Sequence, residues 1–171
     1  MCIRDRRGGD GNDLLYGGAD NDTLYGDAGD DTLYGGNGQN TLYGGADNDV
    51  LYGGVDVDTL DGGAGDDRLE GGAAGDILTG GTGRDTFVLA VDSLAEAAFT
   101  TPVYDRITDF ETGADGDIID LAALHAANLA EGYGDEWSGT EFAYTHGYIY
   151  FVQSGNAVSY THLTLPTICS V

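Results

Sequence analysis

Eight aspartates and one asparagine recur at a constant spacing of nine residues: Asp13, Asp22, Asp31, Asn40, Asp49, Asp58, Asp67, Asp76 and Asp85. Each is the sixth residue of a unit, and the units follow one another without a gap from Gly8 to Val88. They read GGDGNDLLY, GGADNDTLY, GDAGDDTLY, GGNGQNTLY, GGADNDVLY, GGVDVDTLD, GGAGDDRLE, GGAAGDILT and GGTGRDTFV. Carboxylates held close together repel unless something neutralises them. Glycine-rich turns aim backbone carbonyls into the same gap. Carboxylates and carbonyls, with no cysteine and no clustered histidine beside them, make a site for a hard cation. Ca²⁺ takes about six to eight such oxygens in irregular geometry, whereas Mg²⁺ is stricter. A solvated acidic loop would have no reason to keep phase through all these units.

The elements that must position these carboxylates follow from the rest of the unit. The first six residues are dominated by Gly, Asp and Asn, which suit turns and positive φ. The last three, x-Leu-x, read as a minimal strand with one inward side chain. That inward position holds Leu15, Leu24, Leu33, Leu42, Leu51, Leu60, Leu69, Leu78 and Phe87. One apolar residue per unit cannot build a globular core, but stacked in register such residues form a continuous rod. Two units make one flattened coil, which places equivalent residues of units n and n+2 above one another. At ~4.8 Å per strand the repeats span roughly 20 Å. Tyr16, Tyr34 and Tyr52 then share one outer face, and Tyr25 and Tyr43 the other. A cross-strand ladder is the plain reading of these rings, and a sugar-binding platform is the functional one. Thr23, Thr41 and Thr59 form a partial second ladder, too irregular for an ice-binding surface.

The units resemble the RTX, or haemolysin-type, nonapeptide repeat of secreted bacterial toxins, proteases and lipases. The resemblance implies an all-β fold, a right-handed parallel β-roll (β-solenoid) of nine repeats whose turns bind Ca²⁺ between successive coils. It assigns carboxylate ligands to Asp13, Asp22, Asp31, Asp49, Asp58, Asp67, Asp76 and Asp85. It assigns carbonyl ligands to the turn glycines Gly9, Gly11, Gly18, Gly29, Gly36, Gly38, Gly45, Gly54, Gly63 and Gly65. Asn40 departs from the pattern, and its neutral side chain is expected to weaken its site. Asp20, Asp47 and Asp56 replace the fourth-position glycine, tolerate left-handed φ, and either add ligands or only add charge. Ala74 also replaces that glycine and makes a poorer turn. Pairing n with n+2 allows at most about seven ions in the roll.

The ends do not belong to the pattern. Met1–Arg6 resembles the translation of a sequencing-library adapter, and the stretch from Val158 resembles its reverse complement. Residues 1–6 and 158–171 are therefore set aside as adapter scars, which makes the chain an expected fragment. Cys2 and Cys169 both fall in these stretches, so no disulfide framework is expected. Net charge is −24, with no lysine at all. Such charge excludes a nucleic-acid binder and opposes adhesion to an anionic membrane. It also destabilises a compact state by self-repulsion. With 30 glycines adding ordering entropy, the repeats are expected to be disordered without cation, so that binding and folding form one equilibrium. No run is long and apolar enough to span a bilayer.

After the roll (7–88) comes a second segment, 89–157. Residues 89–102 read as a connection with a short helix, Val103–Phe110 as a strand, Gly113–Asp117 as a turn and Ile118–Leu121 as a further extended run. Asp120 is placed to cap a short helix through Ala130. Glu141–Thr145 and Tyr148–Gln153 read as a hairpin around His146-Gly147. The succession DTFVL, DRITDF and DIIDLAAL resembles the C-terminal domain of serralysin-type metalloproteases and related type I secretion targets. That resemblance implies a β-rich cap and an export signal nearby. Asp109, Asp115, Asp117 and Asp120 are either one more Ca²⁺ site or a solvated turn.

Neither H-E-x-x-H nor G-x-S-x-G occurs, so the sequence holds no zinc-protease or serine-hydrolase signature. His125 and His146 lack partners, and Trp137 reads as a packing residue. The reading is a non-enzymatic, calcium-dependent module of a secreted, extracellular bacterial protein that folds after type I export. The alternatives are the tail of a serralysin-like metalloprotease, whose catalytic domain lies elsewhere, and the spacer of an RTX adhesin.

Overall fold

A computed structural model describes residues 5–89, 105–112 and 116–120, together with the backbone of strands within 143–164. It is an all-β solenoid of about five turns. The strands on one face are β1 (Asp5–Asp10), β3 (Thr23–Ala28), β5 (Thr41–Ala46), β7 (Thr59–Ala64), β9 (Ile77–Thr82) and β11 (Arg106–Ile107). The other face has β2 (Leu14–Gly18), β4 (Thr32–Gly36), β6 (Val50–Gly54), β8 (Arg68–Gly72), β10 (Thr86–Val88) and β12 (Ile118–Asp120). All these pairings are parallel, and within the repeats they join unit n to unit n+2, as in Leu24↔Leu42 and Leu33↔Leu51. The two-unit coil expected from the period is the coil observed. Among the described residues no helix occurs.

The strands are longer than x-Leu-x. They run through the Gly-Gly that opens the next unit, reaching five or six residues. The turn is correspondingly shorter than the six residues read from composition. The inward positions of each strand explain this. Leucine at position eight and the glycine two residues on, at position one of the next unit, lie on the same face of the pleat, and both are buried, as in Leu42 and Gly44. The aspartate at position six is also buried, so the interior carries three rows rather than one. Leu24, Leu33, Leu42, Leu51, Leu60, Leu69, Leu78 and Phe87 form the apolar rod, all fully buried. Leu15 is only half-buried because β2 is the outermost strand of its sheet.

The solenoid continues past the recognisable repeats. Ile107 pairs with Leu78 and Ile119 with Phe87, so Asp105-Arg106-Ile107 and Asp117-Ile118-Ile119 stand where Asp-x-Leu would stand in two further units. Phe110 packs on the rod with its ring 6.1 Å from that of Phe87. Of the strand expected over Val103–Phe110, the described residues 105–110 contain Arg106–Ile107, and 103–104 lie outside the described residues. The expected hairpin is present as β13 (Ala143–Tyr144) against β14 (Gly147–Ser154), with β14 paired to β15 (Ala157–Thr164) and β15 to β11, all antiparallel. The helices expected over 89–102 and 120–130 fall outside the described residues, save Leu89, whose N–H donates to the Asp120 carbonyl, and Asp120, which ends a strand. Both adapter-like stretches enter strands: Asp5 and Arg6 pair with Thr23 and Leu24, and 158–164 pair with 147–153. An open sheet edge offers donors and acceptors to any extended segment, whatever its origin.

The tyrosines stack as the register requires. Tyr16–Tyr34 and Tyr34–Tyr52 centroids lie 5.0 and 4.7 Å apart with planes within 8°, and Tyr25–Tyr43 lies at 5.0 Å. Face-to-face stacking covers the ring faces between neighbours, and both faces of Tyr34. The outer face of Tyr25 is covered as well, by the Arg7 guanidinium at 4.5 Å. Tyr34 carries two of these contacts, so Tyr34→Ala is expected to cost about 1–2 kcal/mol. A denaturant melt in saturating Ca²⁺ checks this, and an unchanged midpoint would show the ladder to be ornamental.

Candidate metal centre

The sixth-position side chains form two buried ladders, one along each edge of the solenoid. On the first edge, the backbone N–H of Asp13 donates to Asp31 Oδ1, Asp31 to Asp49, Asp49 to Asp67, Asp67 to Asp85, and Asp85 to Asp117, at 2.7–3.0 Å. On the second, Asp22 donates to Asn40 Oδ1, Asn40 to Asp58, Asp58 to Asp76, and Asp76 to Asp105, over the same range. The period places these residues above one another. It does not reveal that one oxygen of each carboxylate is occupied by the coil before it. Nor does the repeat pattern extend to Asp105, whose signal lies only in the Asp-x-Ile spacing. Asp117 takes the equivalent place on the first edge.

The second oxygen is different. Oδ2 of Asp22, Asp31, Asp49, Asp58 and Asp67 is buried and has no hydrogen-bond partner. Each lies against the position-one glycine of its own unit, beside a carbonyl of the next coil. A methyl on Gly17 would sit 2.9 Å from Asp22 Oδ2 and 2.5 Å from the Gly35 carbonyl oxygen; one on Gly53 would sit 2.6 Å from Asp58 Oδ2. Glycine is required here for space and not for its angles, since these residues need no positive φ. The cradle so formed holds carboxylate and carbonyl oxygens and no donor.

The electrostatics agree. Burial pushes the Asp49 carboxyl up to about 7, with Asp67 and Asp31 adding repulsion against the pull of the Asp31 N–H. Burial raises Asp58, Asp67 and Asp85 to about 6, and Asp31 upward as well. A buried, ionised oxygen without a donor is costly. A proton or a cation removes the cost. The donor set is oxygen only, which suits Ca²⁺ or another hard cation. Among the described residues no three acidic, His or Cys side chains cluster as a metal site by themselves, and the carbonyl oxygens beside each Oδ2 are further ligands within reach of such an ion.

The turn residues divide into distinct roles. Gly9, Gly18, Gly36, Gly45, Gly54 and Gly63 at position two all take positive φ, as do Gly11, Gly29, Gly38 and Gly65 at position four. Asp20, Asp47 and Ala74 at position four also take positive φ, at 75–81°. Asp56 does not take a positive φ; its carboxylate instead accepts from the Gly38 N–H at 2.9 Å. The carbonyls of Gly18, Gly36 and Gly54 accept from position three of the next coil. A second ladder, missed in the sequence, runs along position five. Asn12, Asp30, Asn48 and Asp66 each accept through Oδ1 from the position-five N–H one coil on, and Asn21 does so from Gln39. Its signal was the run of Asn and Asp before the sixth position, which reads on its own as turn composition. Among the tail aspartates, Asp109 accepts from Gly80 and Gly81 N–H, Asp117 from Asp85 and Glu111 N–H, and Asp120 pairs with Arg68 at 3.5 Å. Asp115 lies outside the described residues.

The family model for the RTX calcium-binding nonapeptide repeat matches the chain four times, at residues 7–42, 25–60, 34–69 and 52–87. Residues 7–87 carry RTX repeats. RTX repeats bind Ca²⁺ and form a structural module, not a catalytic one. RTX proteins are typically secreted. Among the described residues no helix is long and apolar enough to cross a membrane. No curated protein matches the chain. The orphaned oxygens of the RTX ladders, their oxygen-only surroundings and their raised carboxyls all fit the ion that the family binds.

Proposed function

We propose that this chain is a calcium-driven folding module of a protein exported by a type I system. The observation that carries the reading is the row of buried Oδ2 atoms without partners. The ligands are the sixth-position carboxylates, with turn carbonyls completing the shell, and at most about seven ions occupy the roll. Bound calcium supplies the positive charge that lets buried carboxylates stay ionised. The chain's own part is to hold one oxygen of each carboxylate through a backbone N–H and to turn the other into the cradle. Where calcium is scarce, net charge and glycine entropy keep the repeats extended and able to thread an export channel. Outside, Ca²⁺ near the ~10⁻⁴–10⁻³ M affinity of extracellular modules folds them. Folding there opposes return and stabilises whatever the roll is joined to.

The units ending at Val88 form the roll, and 89–157 closes it, with residues 1–6 and 158–171 foreign to both. Support for a closing segment comes from Asp105 and Asp117, which satisfy the last N–H of each ladder, and from Asp109, which satisfies Gly80 and Gly81. Exposed ladder ends would otherwise template further strands. The serralysin-like succession of motifs favours a metalloprotease as the parent over an adhesin, whose sugar platform the stacked tyrosines do not offer.

Far-UV circular dichroism of the chain during a Ca²⁺ titration, with Mg²⁺ as control, tests the reading. A cooperative gain of β signal is expected with Ca²⁺ alone. Full β signal in chelator at neutral pH would sink it.

A further inference from the structure

Asn40 has no orphaned side-chain atom, whereas Asp22, Asp31, Asp49, Asp58 and Asp67 each keep a buried Oδ2 without a hydrogen-bond partner. Its Oδ1 accepts from the Asp22 N–H at 3.0 Å, which fixes the amide's orientation, since only the oxygen can accept from an N–H. The nitrogen is thereby placed where the other units have Oδ2. A methyl on Gly35 would sit 2.8 Å from Asn40 Nδ2, whereas at Gly17, Gly26, Gly44, Gly53 and Gly62 it would meet the Oδ2 of the unit's own aspartate. From that place Nδ2 donates to the Gly38 carbonyl at 2.8 Å. Asn40 is 2% exposed, so these are interior bonds. Its backbone N–H donates to Asp58 Oδ1 at 2.7 Å, and both this N–H and its side chain favour the ionised form of Asp58.

We propose that the Asn40 carboxamide takes the place of a cation in the turn 35–40, so that this turn closes without metal, and that a carboxylate at position 40 would make it a divalent-cation site. The inference rests on the calcium reading above. An amide brings two donors and no charge. A carboxylate in the same spot brings neither donor nor proton to the Gly38 carbonyl and needs an outside positive partner. The two edges of the roll are therefore unequal. The edge from Asp13 to Asp85 offers an unbroken row of carboxylates. The other is divided by a neutral, self-satisfied link, with Asp22 on one side and Asp58 and Asp76 on the other.

The test is a calcium count on the full chain by equilibrium dialysis, with Mg²⁺ as control, for the unsubstituted protein, Asn40→Asp and Asp49→Asn. Asn40→Asp is expected to bind at least one more Ca²⁺ than the unsubstituted chain. Asp49→Asn, which copies the amide onto the other edge, is expected to bind at least one fewer and still to gain its β signal in calcium. An unchanged count in Asn40→Asp, with calcium bound by the unsubstituted chain, overturns this inference and leaves the calcium reading standing. Should Asn40→Asp not fold, Asp49→Asn decides alone: an unchanged count or no β signal in calcium overturns the proposal. If no variant and no unsubstituted protein takes up calcium, the calcium reading itself falls, and this inference with it.

Discussion

Gly44→Ala is expected to abolish calcium-dependent folding at Ca²⁺ concentrations that fold the unsubstituted chain. The added methyl would lie 2.5 Å from the Gly62 carbonyl oxygen and 2.9 Å from Asp49 Cβ, and would overlap Asp49 Oδ2. One obstacle is backbone of the next coil, held by its own parallel ladder, so it cannot step aside as a long side chain would. Overpacking a well-packed core usually costs about 1–3 kcal/mol, and a blocked backbone belongs at the top of that range or beyond. The methyl also fills the cradle beside Asp49 Oδ2, so the loss of the ion compounds the clash. Gly9→Ala is the control. Nothing lies within 4 Å of its added methyl, so it meets only the strain of φ +107°. The two variants compared by circular dichroism in a calcium titration separate space from backbone angle. Equal, mild shifts in both would show that position one is glycine for its conformation and not for the cradle.

Acid is expected to do part of the work of calcium. In chelator, β signal should rise as pH falls from 8 to 5.5, with the change centred between about 6 and 7. The sign follows from linkage. Burial raises Asp49 to about 7 and Asp58, Asp67 and Asp85 to about 6 in the folded chain, against the ordinary aspartate value of 3.8. Between those values the folded state binds more protons than the unfolded one, so stability increases as pH falls through the folded pKa and decreases as pH rises through it. Near neutral pH the full cost of ionising these groups falls on the folded state unless a cation bears it. Protons and Ca²⁺ then compete for the same oxygens, so the calcium needed for half-folding should also change through this window. A chelated sample with the same signal at pH 8 and pH 5.5 would contradict the argument. Asp49 stands highest of the four, raised by burial first and then by the charges of Asp67, Asp31 and Asp30, whereas hydrogen bonds from the Asn40 N–H and side chain pull Asp58 back down. Asp49→Asn should therefore lower the pH of the transition.

The sequence by itself determined the architecture of the roll. A period of nine with one leucine per unit leaves stacking as the only way to bury those leucines, and two-unit coils follow from a strand that must turn back at each glycine run. Leu24 over Leu42, Tyr16 over Tyr34 over Tyr52, and Asp31 over Asp49 are all consequences of that count. Composition likewise identified the chemistry of the site, since only oxygen donors recur in phase. Tertiary structure decided how those donors are used. Which oxygen of Asp31 binds a backbone N–H, which is left over, and that the leftover one faces Gly26 are matters of inter-coil distance, on which the pattern is silent. The same holds for Asn40, which reads as a weakened aspartate and is in fact a side chain with every polar atom placed. It holds too for Asp105, outside the repeat by pattern and inside the ladder by position. A repeat records which residues must be equivalent. Hydrogen bonds are made between neighbouring units, so their direction and their leftovers become fixed only when one coil lies on the next.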